Sequence, residues 1–180
     1  IKMISYNGAI NLIDKFSYKF SIEKISIKDC LNRVSANNIF SSSKFPSSNN
    51  SAFDGYALKS KDTKKLSKKF NKKFKILKTI AAGDNPKLKN YKRYSTVEIM
   101  TGALIPNQFD TIIPIERVKY FPSKSKSTHI IVEEELKKFS FVRFEGEDYK
   151  MKDLVLKKNQ IIKSYDLMAL ASLGIDKIFV

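Results

Sequence analysis

The chain has 180 residues and a hydrophobic fraction of 42%, enough for one domain or two small ones around a buried core and too apolar for a disordered segment. Its 34 basic and 18 acidic residues leave a formal net charge of +16. That field favours anionic partners (nucleic acid, anionic lipid or phosphorylated small molecules), and a composition bias toward Lys, Asn and Ile would produce it equally well. The single cysteine, Cys30, excludes an internal disulfide. No apolar run reaches the ~18 residues of a membrane span and the N-terminus lacks a signal-peptide pattern, so the expectation is a soluble cytoplasmic protein without membrane contact.

Along the chain, Ser5 is placed to cap a helix whose apolar residues Ala9, Ile10, Ile13 and Phe16 recur at the spacing of one helical face. Residues 22–27 alternate as a short strand. Ser26 or Lys28 then opens a second helix with Cys30, Leu31 and Val34 inward. Cys30 reads as a small buried apolar residue, since His129 is the sole histidine and neither sits in a nucleophile motif. Residues 41–51 form a polar loop rich in Ser and Asn.

From Asp54 onward the signals are those of strands. Residues 74–80 end at the turn Ala82-Gly83-Asp84-Asn85-Pro86. Further strands are expected over 97–100, 110–116, 129–132 and 139–144, with Pro114 marking an edge or a bulge. The lysine tract 59–75 carries Leu66, Phe70 and Phe74 four apart, which fits a basic amphipathic helix or a solvated loop feeding the next strand. Phe70 and Phe74 read as core or loop anchors. After Asp148 a short strand (153–156) precedes a helix over 165–172 capped by Ser164 and stopped by Gly174, and residues 178–180 begin another strand.

Short strands separated by turns indicate a barrel or sandwich, and helical segments stand at both ends. The fold class expected is α+β: a β-rich, barrel-like domain inserted into a discontinuous helical linker domain, elongated overall. The divisions fall at 1–40 (linker, first segment), 41–148 (inserted β-domain) and 149–180 (linker, second segment). Ile1 in place of an initiator Met, and an end on an apolar strand at Val180, read as a piece cut at a domain junction.

The residues with chemical potential are Asp54, Thr101, Glu147 and Asp148, each in a turn beside a glycine such as Gly55, Gly102 or Gly146. Carboxylates so placed can hold Mg²⁺, a hard cation that prefers oxygen ligands. The Thr101-Gly102-Ala103 turn is expected to offer backbone N–H groups to an anion. Taken singly, each of these motifs also occurs in ordinary turns.

Together they resemble the molybdopterin molybdenumtransferase family, the molybdenum insertases that include the gephyrin E domain. Phe45-Pro46 and Ser51-Ala52-Phe53-Asp54-Gly55-Tyr56-Ala57 resemble its proline loop and Ser-Ala-Met-Asp-Gly-Tyr-Ala motif, with Phe53 for Met. Ile99-Met100-Thr101-Gly102-Ala103 resembles its Met-Thr-Gly-Ala segment, and Arg143 with Gly146-Glu147-Asp148 its Gly-Glu-Asp motif. Ala82-Gly83 and the segment Ala169 to Gly174 also fit. Asn32, Gln108 and Asn159 depart from it, standing where the family often has glycine.

The resemblance implies an N-terminal linker and β-domain of a homodimeric enzyme of molybdenum cofactor biosynthesis, without the pterin-binding and C-terminal domains. The reaction implied is insertion of molybdate into adenylylated molybdopterin with release of AMP, assisted by Mg²⁺. Asp54, Thr101 and Asp148 are the catalytic candidates, Asp54 and Asp148 the metal-binding ones, and Gly55, Gly102 and Glu147 the cofactor-binding ones. The chain would supply half of an inter-subunit site and be inactive alone. The lysine tract becomes an ordinary connection, so a loop is preferred there. Two other classes compete: a basic β-barrel binding nucleic acid, which lacks any RNA-binding fingerprint and is disfavoured, and a scaffold of the same fold without activity.

Overall fold

The computed structural model of the chain describes residues 3–16 and 20–180. In chain order the elements begin with helix α1 (Tyr6–Lys15) and strands β1 (Lys24–Ser26), β2 (Ile39–Phe40), β3 (Asn50–Ser51) and β4 (Gly55–Leu58). Strands β5 (Lys72–Ile80), β6 (Ser95–Ile99), β7 (Thr111–Pro114), β8 (Lys119–Phe121) and β9 (His129–Val132) follow. The chain continues with β10 (Val142–Arg143), β11 (Leu154–Leu156), helix α2 (Ser164–Ser172) and β12 (Lys177–Phe179). The chain divides into two compact units, residues 41–153 and a second made of residues 1–40 with 154–180. The latter boundary lies at 153/154, not at 148/149, because Tyr149 bridges Phe45 and Lys152 N–H donates to Ser41 O, holding 149–153 to residues of the 41–153 unit.

In the 41–153 unit the order β7-β4-β6-β5-β9-β8 makes one six-stranded sheet with a half-barrel curl. It is mixed: β5 and β6 run parallel and every other pair antiparallel. The barrel-like expectation is met only in part, since β7 and β8 do not pair with each other. Alternation along β4 sends Tyr56 and Leu58 to one face and Ala57 to the other, and both faces are covered. One apolar cluster gathers Tyr56, Leu58, Phe74, Ile113, Ile130, Val132 and Leu136; the opposite one gathers Ala57, Ile80, Val97, Ile99, Ala103, Phe109 and Ile112. Because β4 and β7 are buried on both faces, their sequences read as continuous apolar runs. Pro114 closes β7 at the sheet's edge, where a missing N–H costs no ladder bond.

Two expectations fail in the backbone. No helix follows Lys28: a single 3-10 turn over Ile27–Asp29 ends as Asn32 enters the left-handed region (φ 62°) and Val34 bridges Ile161. The aromatic run 139–144 contributes only β10, because Phe139 and Phe141 adopt φ of 68° and 56°. The lysine tract is, as preferred, a loop that feeds β5; Phe74 is buried as an anchor, while Phe70 is exposed in a tight turn closed by reciprocal bonds with Ser67. The edge strand β8 has no counterpart among the expected elements.

In the other unit, Cys30, Leu156, Ile162, Leu170 and Ile178 form the core, around two two-stranded sheets (β1–β12 and β2–β11) and α2. Cys30 is fully buried. Burial, reinforced by Asp29, pushes its thiol pKa up. The unit is thus less helical than expected. Ser5 Oγ accepts the Gly8 N–H at 3.2 Å and caps α1, although no residue of that helix is buried. Lys163, not Ser164, is the N-cap of α2, and the Asp166 carboxylate accepts the Lys163 N–H at 2.8 Å. At the other end Gly174 (φ 72°) and Ile175 donate to Ala171 O and Leu170 O, the 5→2 and 6→1 bonds of a Schellman stop.

Candidate functional site

Strand β3 is where the three motif segments of the 41–153 unit meet. On one side Gly102 N–H donates to Ser51 O (2.8 Å), Ser51 N–H donates to Ala103 O (3.0 Å), and Asn50 bridges Leu104. On the other side β10 pairs antiparallel, with Val142 opposite Ser51 and Arg143 opposite Asn50. Ala52 N–H donates to Phe141 O, and the Phe53 ring stands edge-on to Phe141 at 5.1 Å. Phe53 therefore packs against the segment that carries the third motif.

Asp54 follows β3 with its side chain exposed. Its Oδ1 accepts the Thr101 N–H at 2.7 Å and the Thr101 hydroxyl at 2.8 Å. The backbone bond first, then the hydroxyl bond, hold its carboxyl below the usual aspartate value. The tie has a structural source. Met100 N–H donates to Ile80 O as β6 ends, and the chain then turns through Gly102 at φ 78°, a conformation glycine adopts freely.

The anion cradle expected of Thr101-Gly102-Ala103 is absent. All three N–H groups are taken: by Asp54 Oδ1, by Ser51 O and by Met100 O. The anion this turn receives is the protein's own Asp54 carboxylate. Gly55 is buried between neighbours, and a Cβ there would fall 2.1 Å from Ile113 O; the close approach of β7 accounts for its lack of a side chain.

In the third segment Gly146 (φ 69°) donates to Pro46 O, and Asp148 and Tyr149 both donate to Phe45 O. Glu147 Oε2 accepts the Phe144 N–H at 2.8 Å, so this carboxylate closes its own turn. Asp148 pairs with Arg143, whose guanidinium also lies over the Phe45 ring at 5.8 Å. The fold thus brings Asp54 and Thr101 into direct contact, while Asp148 reaches the same strand through Arg143 and shares no hydrogen bond with either among the described residues. No group of three or more His, Cys, Asp or Glu that could hold a metal ion occurs among the described residues.

Beside this junction lies a cavity of about 520 Å³, lined by Asn49, Leu104, Ile105, Val142 and Glu145 among others. Asn49 Oδ1 accepts the Glu145 N–H at 2.9 Å, and Lys44 pairs with Glu145 at 3.2 Å. Asn49 and Glu145 were not among the expected site residues. Asn49's only signal in the sequence is its place in a Ser/Asn-rich loop just before a strand.

The comparisons with known proteins point one way. A curated molybdopterin molybdenumtransferase of Synechococcus elongatus is 28% identical over 178 residues, 98% of this chain and 43% of that protein. One from Haemophilus influenzae is 30% identical over 167 residues, 93% of this chain and 39% of that protein. The chain therefore spans less than half the length of these relatives. Crystal structures of the molybdopterin biosynthesis MoeA protein from Pyrococcus horikoshii superpose with TM-scores of 0.86 and 0.79 at 27% and 26% identity, covering 99% of this chain and 46% and 44% of those chains. The family model described as the MoeA N-terminal region (domain I and II) matches residues 4–174. The chain belongs to the MoeA, or molybdopterin molybdenumtransferase, family, over its N-terminal region.

Proposed function

We propose that the chain serves molybdenum cofactor biosynthesis as the N-terminal part of a molybdopterin molybdenumtransferase, which inserts molybdate into adenylylated molybdopterin and releases AMP. The observation that carries this reading is the Asp54–Thr101 junction, in which two motifs far apart in sequence fix one exposed carboxylate. Held deprotonated at neutral pH, Asp54 presents anionic oxygen to a cation or to the proton of an attacking water. Thr101 orients it. Arg143 sets Asp148, and Gly55, Gly102 and Glu147 keep the three turns in shape.

The donor set fits Mg²⁺, which needs only one or two protein carboxylates beside waters and substrate phosphates. Asp54 Oδ1 receives both Thr101 bonds, and among the described residues its Oδ2 accepts none; Asp148, paired with Arg143, is the second candidate carboxylate. When bound, the ion would offset charge on the phosphoanhydride of the substrate. In this reading the enzyme is a cytoplasmic homodimer, with the linker unit in the subunit interface, and this chain contributes half of each site.

The test is a chimera of the Synechococcus relative whose N-terminal region is replaced by this chain, assayed for activation of a molybdenum-dependent apoenzyme. The chimera is expected to form cofactor, its Asp54→Asn form to lose at least about tenfold in rate, and the 180-residue chain alone to form none. Equal rates with Asp and Asn at position 54, or turnover by the isolated chain, would reject the assignment.

A further inference from the structure

The positive charge of this protein is concentrated. Between Lys59 and Arg93 stand 14 basic residues against two acidic ones, Asp62 and Asp84, a surplus that accounts for 12 of the 16 net charges. Within that stretch, β5 and the segment 87–95 enclose a groove of about 1060 Å³. Six of its 13 lining residues are cations (Lys75, Lys78, Lys87, Lys89, Lys92 and Arg93) and none is an acid. A second hollow of about 460 Å³ shares Tyr91 and Arg93 with it and adds Lys59, Lys61, Lys64 and one acid, Asp62.

The nearby carboxylates are already engaged. Asp62 pairs with Arg93 at 3.1 Å, Asp110 with Lys59 at 3.2 Å, and Asp84 accepts the Ala81 N–H at 2.8 Å. Lys61, Lys64, Lys75, Lys87, Lys89 and Lys92 have no ion-pair partner among the described residues. Clustered cations repel one another and are stabilised when a polyanion neutralises them. The groove's wall is fixed, because Lys78 Nζ donates to Asn85 O and Lys87 O at 3.0 and 3.3 Å. Tyr91 stands exposed at the junction of the two hollows, its ring seated edge-on against Phe109 at 5.6 Å.

We propose that this groove binds single-stranded nucleic acid, with phosphates along Lys75, Lys87, Lys89 and Lys92 and a base stacked on Tyr91. Two contiguous hollows suit a flexible chain better than one phosphate group. A concave lining cannot present all its lysines to the plane of a membrane, and a seated, exposed ring amid cations is how proteins grip single strands without reading sequence. This site is independent of the molybdenum chemistry proposed above.

Binding of a fluorescein-labelled oligo(dT) of about 15 nucleotides to the 180-residue chain, followed by anisotropy from low to high NaCl, tests it. Log K is expected to fall linearly with log [NaCl], with a slope of about −0.7 for each phosphate neutralised. The triple variant K87Q/K89Q/K92Q, at exposed positions, should bind at least about tenfold more weakly and flatten the slope by about 2. Tyr91→Ala should weaken binding at least about fivefold. K157Q/K158Q/K163Q removes the same charge from exposed positions of the other unit and should bind as the parent does. Equal losses in the two triple variants, a salt-independent affinity, or binding to phosphatidylserine vesicles without binding to the oligonucleotide would each overturn the proposal.

Discussion

Thr101 gives both of its donors, the backbone N–H at 2.7 Å and the hydroxyl at 2.8 Å, to a single oxygen of Asp54. Two bonds to the ionised form stabilise the anion over the acid. The first motif's carboxylate is therefore oriented by the second motif, which also holds its pKa below the usual aspartate value.

The Asp54 carboxyl should titrate below the ordinary aspartate value, and Thr101→Val should bring it part of the way back, because valine keeps the N–H and loses the hydroxyl. The sign follows from linkage. The folded value is depressed, so the stabilising contribution of these bonds is complete above about pH 4 and lost as pH falls through the folded value. Carboxyl ¹³C shifts recorded across the acid range check this. An unchanged midpoint in Thr101→Val would show that the hydroxyl bond does not form.

Gly55 and Gly83 make opposite demands on a methyl group. At Gly55 a Cβ meets Ile113 O at 2.1 Å, so Gly55→Ala must pry β4 from β7 and should cost at least about 3 kcal/mol. At Gly83 (φ 92°) nothing lies within 4 Å, and Gly83→Ala should cost only the backbone strain, about 1–2 kcal/mol. Urea unfolding of the two variants gives the comparison; equal midpoints would mean that β4 and β7 are not held this close.

Asp110 ties the chain around Lys59 to the start of β7. Burial pushes its carboxyl up, but the Ser60 N–H at 2.7 Å and the Lys59 ammonium at 3.2 Å outweigh burial and hold the value below the ordinary one. A depressed folded value again places the stabilising contribution above about pH 4, with loss as pH falls below it. Asp110→Asn should cost about 1–3 kcal/mol at pH 7 and flatten the acid side of the Tm–pH curve. A variant curve parallel to the parent's at every pH would remove Asp110 from the acid response.

Much of the local structure is written locally. The cap at Ser5, the stop at Gly174, the buried runs of β4 and β7, and Pro114 at a sheet edge follow from residues within a few positions of one another. What escaped is non-local or conformational. Nothing near Gly102 says that Ser51 will accept its N–H, so the turn reads as an open anion cradle and is in fact filled. Phe139 and Phe141 are strand formers by propensity, yet both adopt left-handed backbone, and the expected strand shrinks to Val142–Arg143. The helix expected beyond Lys28 fails for a related reason at Asn32.

Asn32 and Asn159 also settle what replaces glycine where the family often has it. Both lie in the left-handed region, at φ 62° and 65°, and Gln108 does not. Asparagine tolerates that region because its short polar side chain bonds locally; a Cβ without that help pays about 1–2 kcal/mol. Asn159 is also fixed by its N–H bond to Ser35 O at 2.8 Å, so it cannot relax without breaking a contact within its unit. Asn159→Ala should therefore destabilise by about 1 kcal/mol, while Asn159→Gly should stay within about 0.5 kcal/mol of the parent. Gln108→Gly should go the other way: it relieves no strain, adds freedom to the unfolded chain, and should cost about 0.5–1 kcal/mol. Denaturant midpoints of the three variants decide the point. If Asn159→Ala unfolds with the parent, the backbone at that turn is not left-handed in solution.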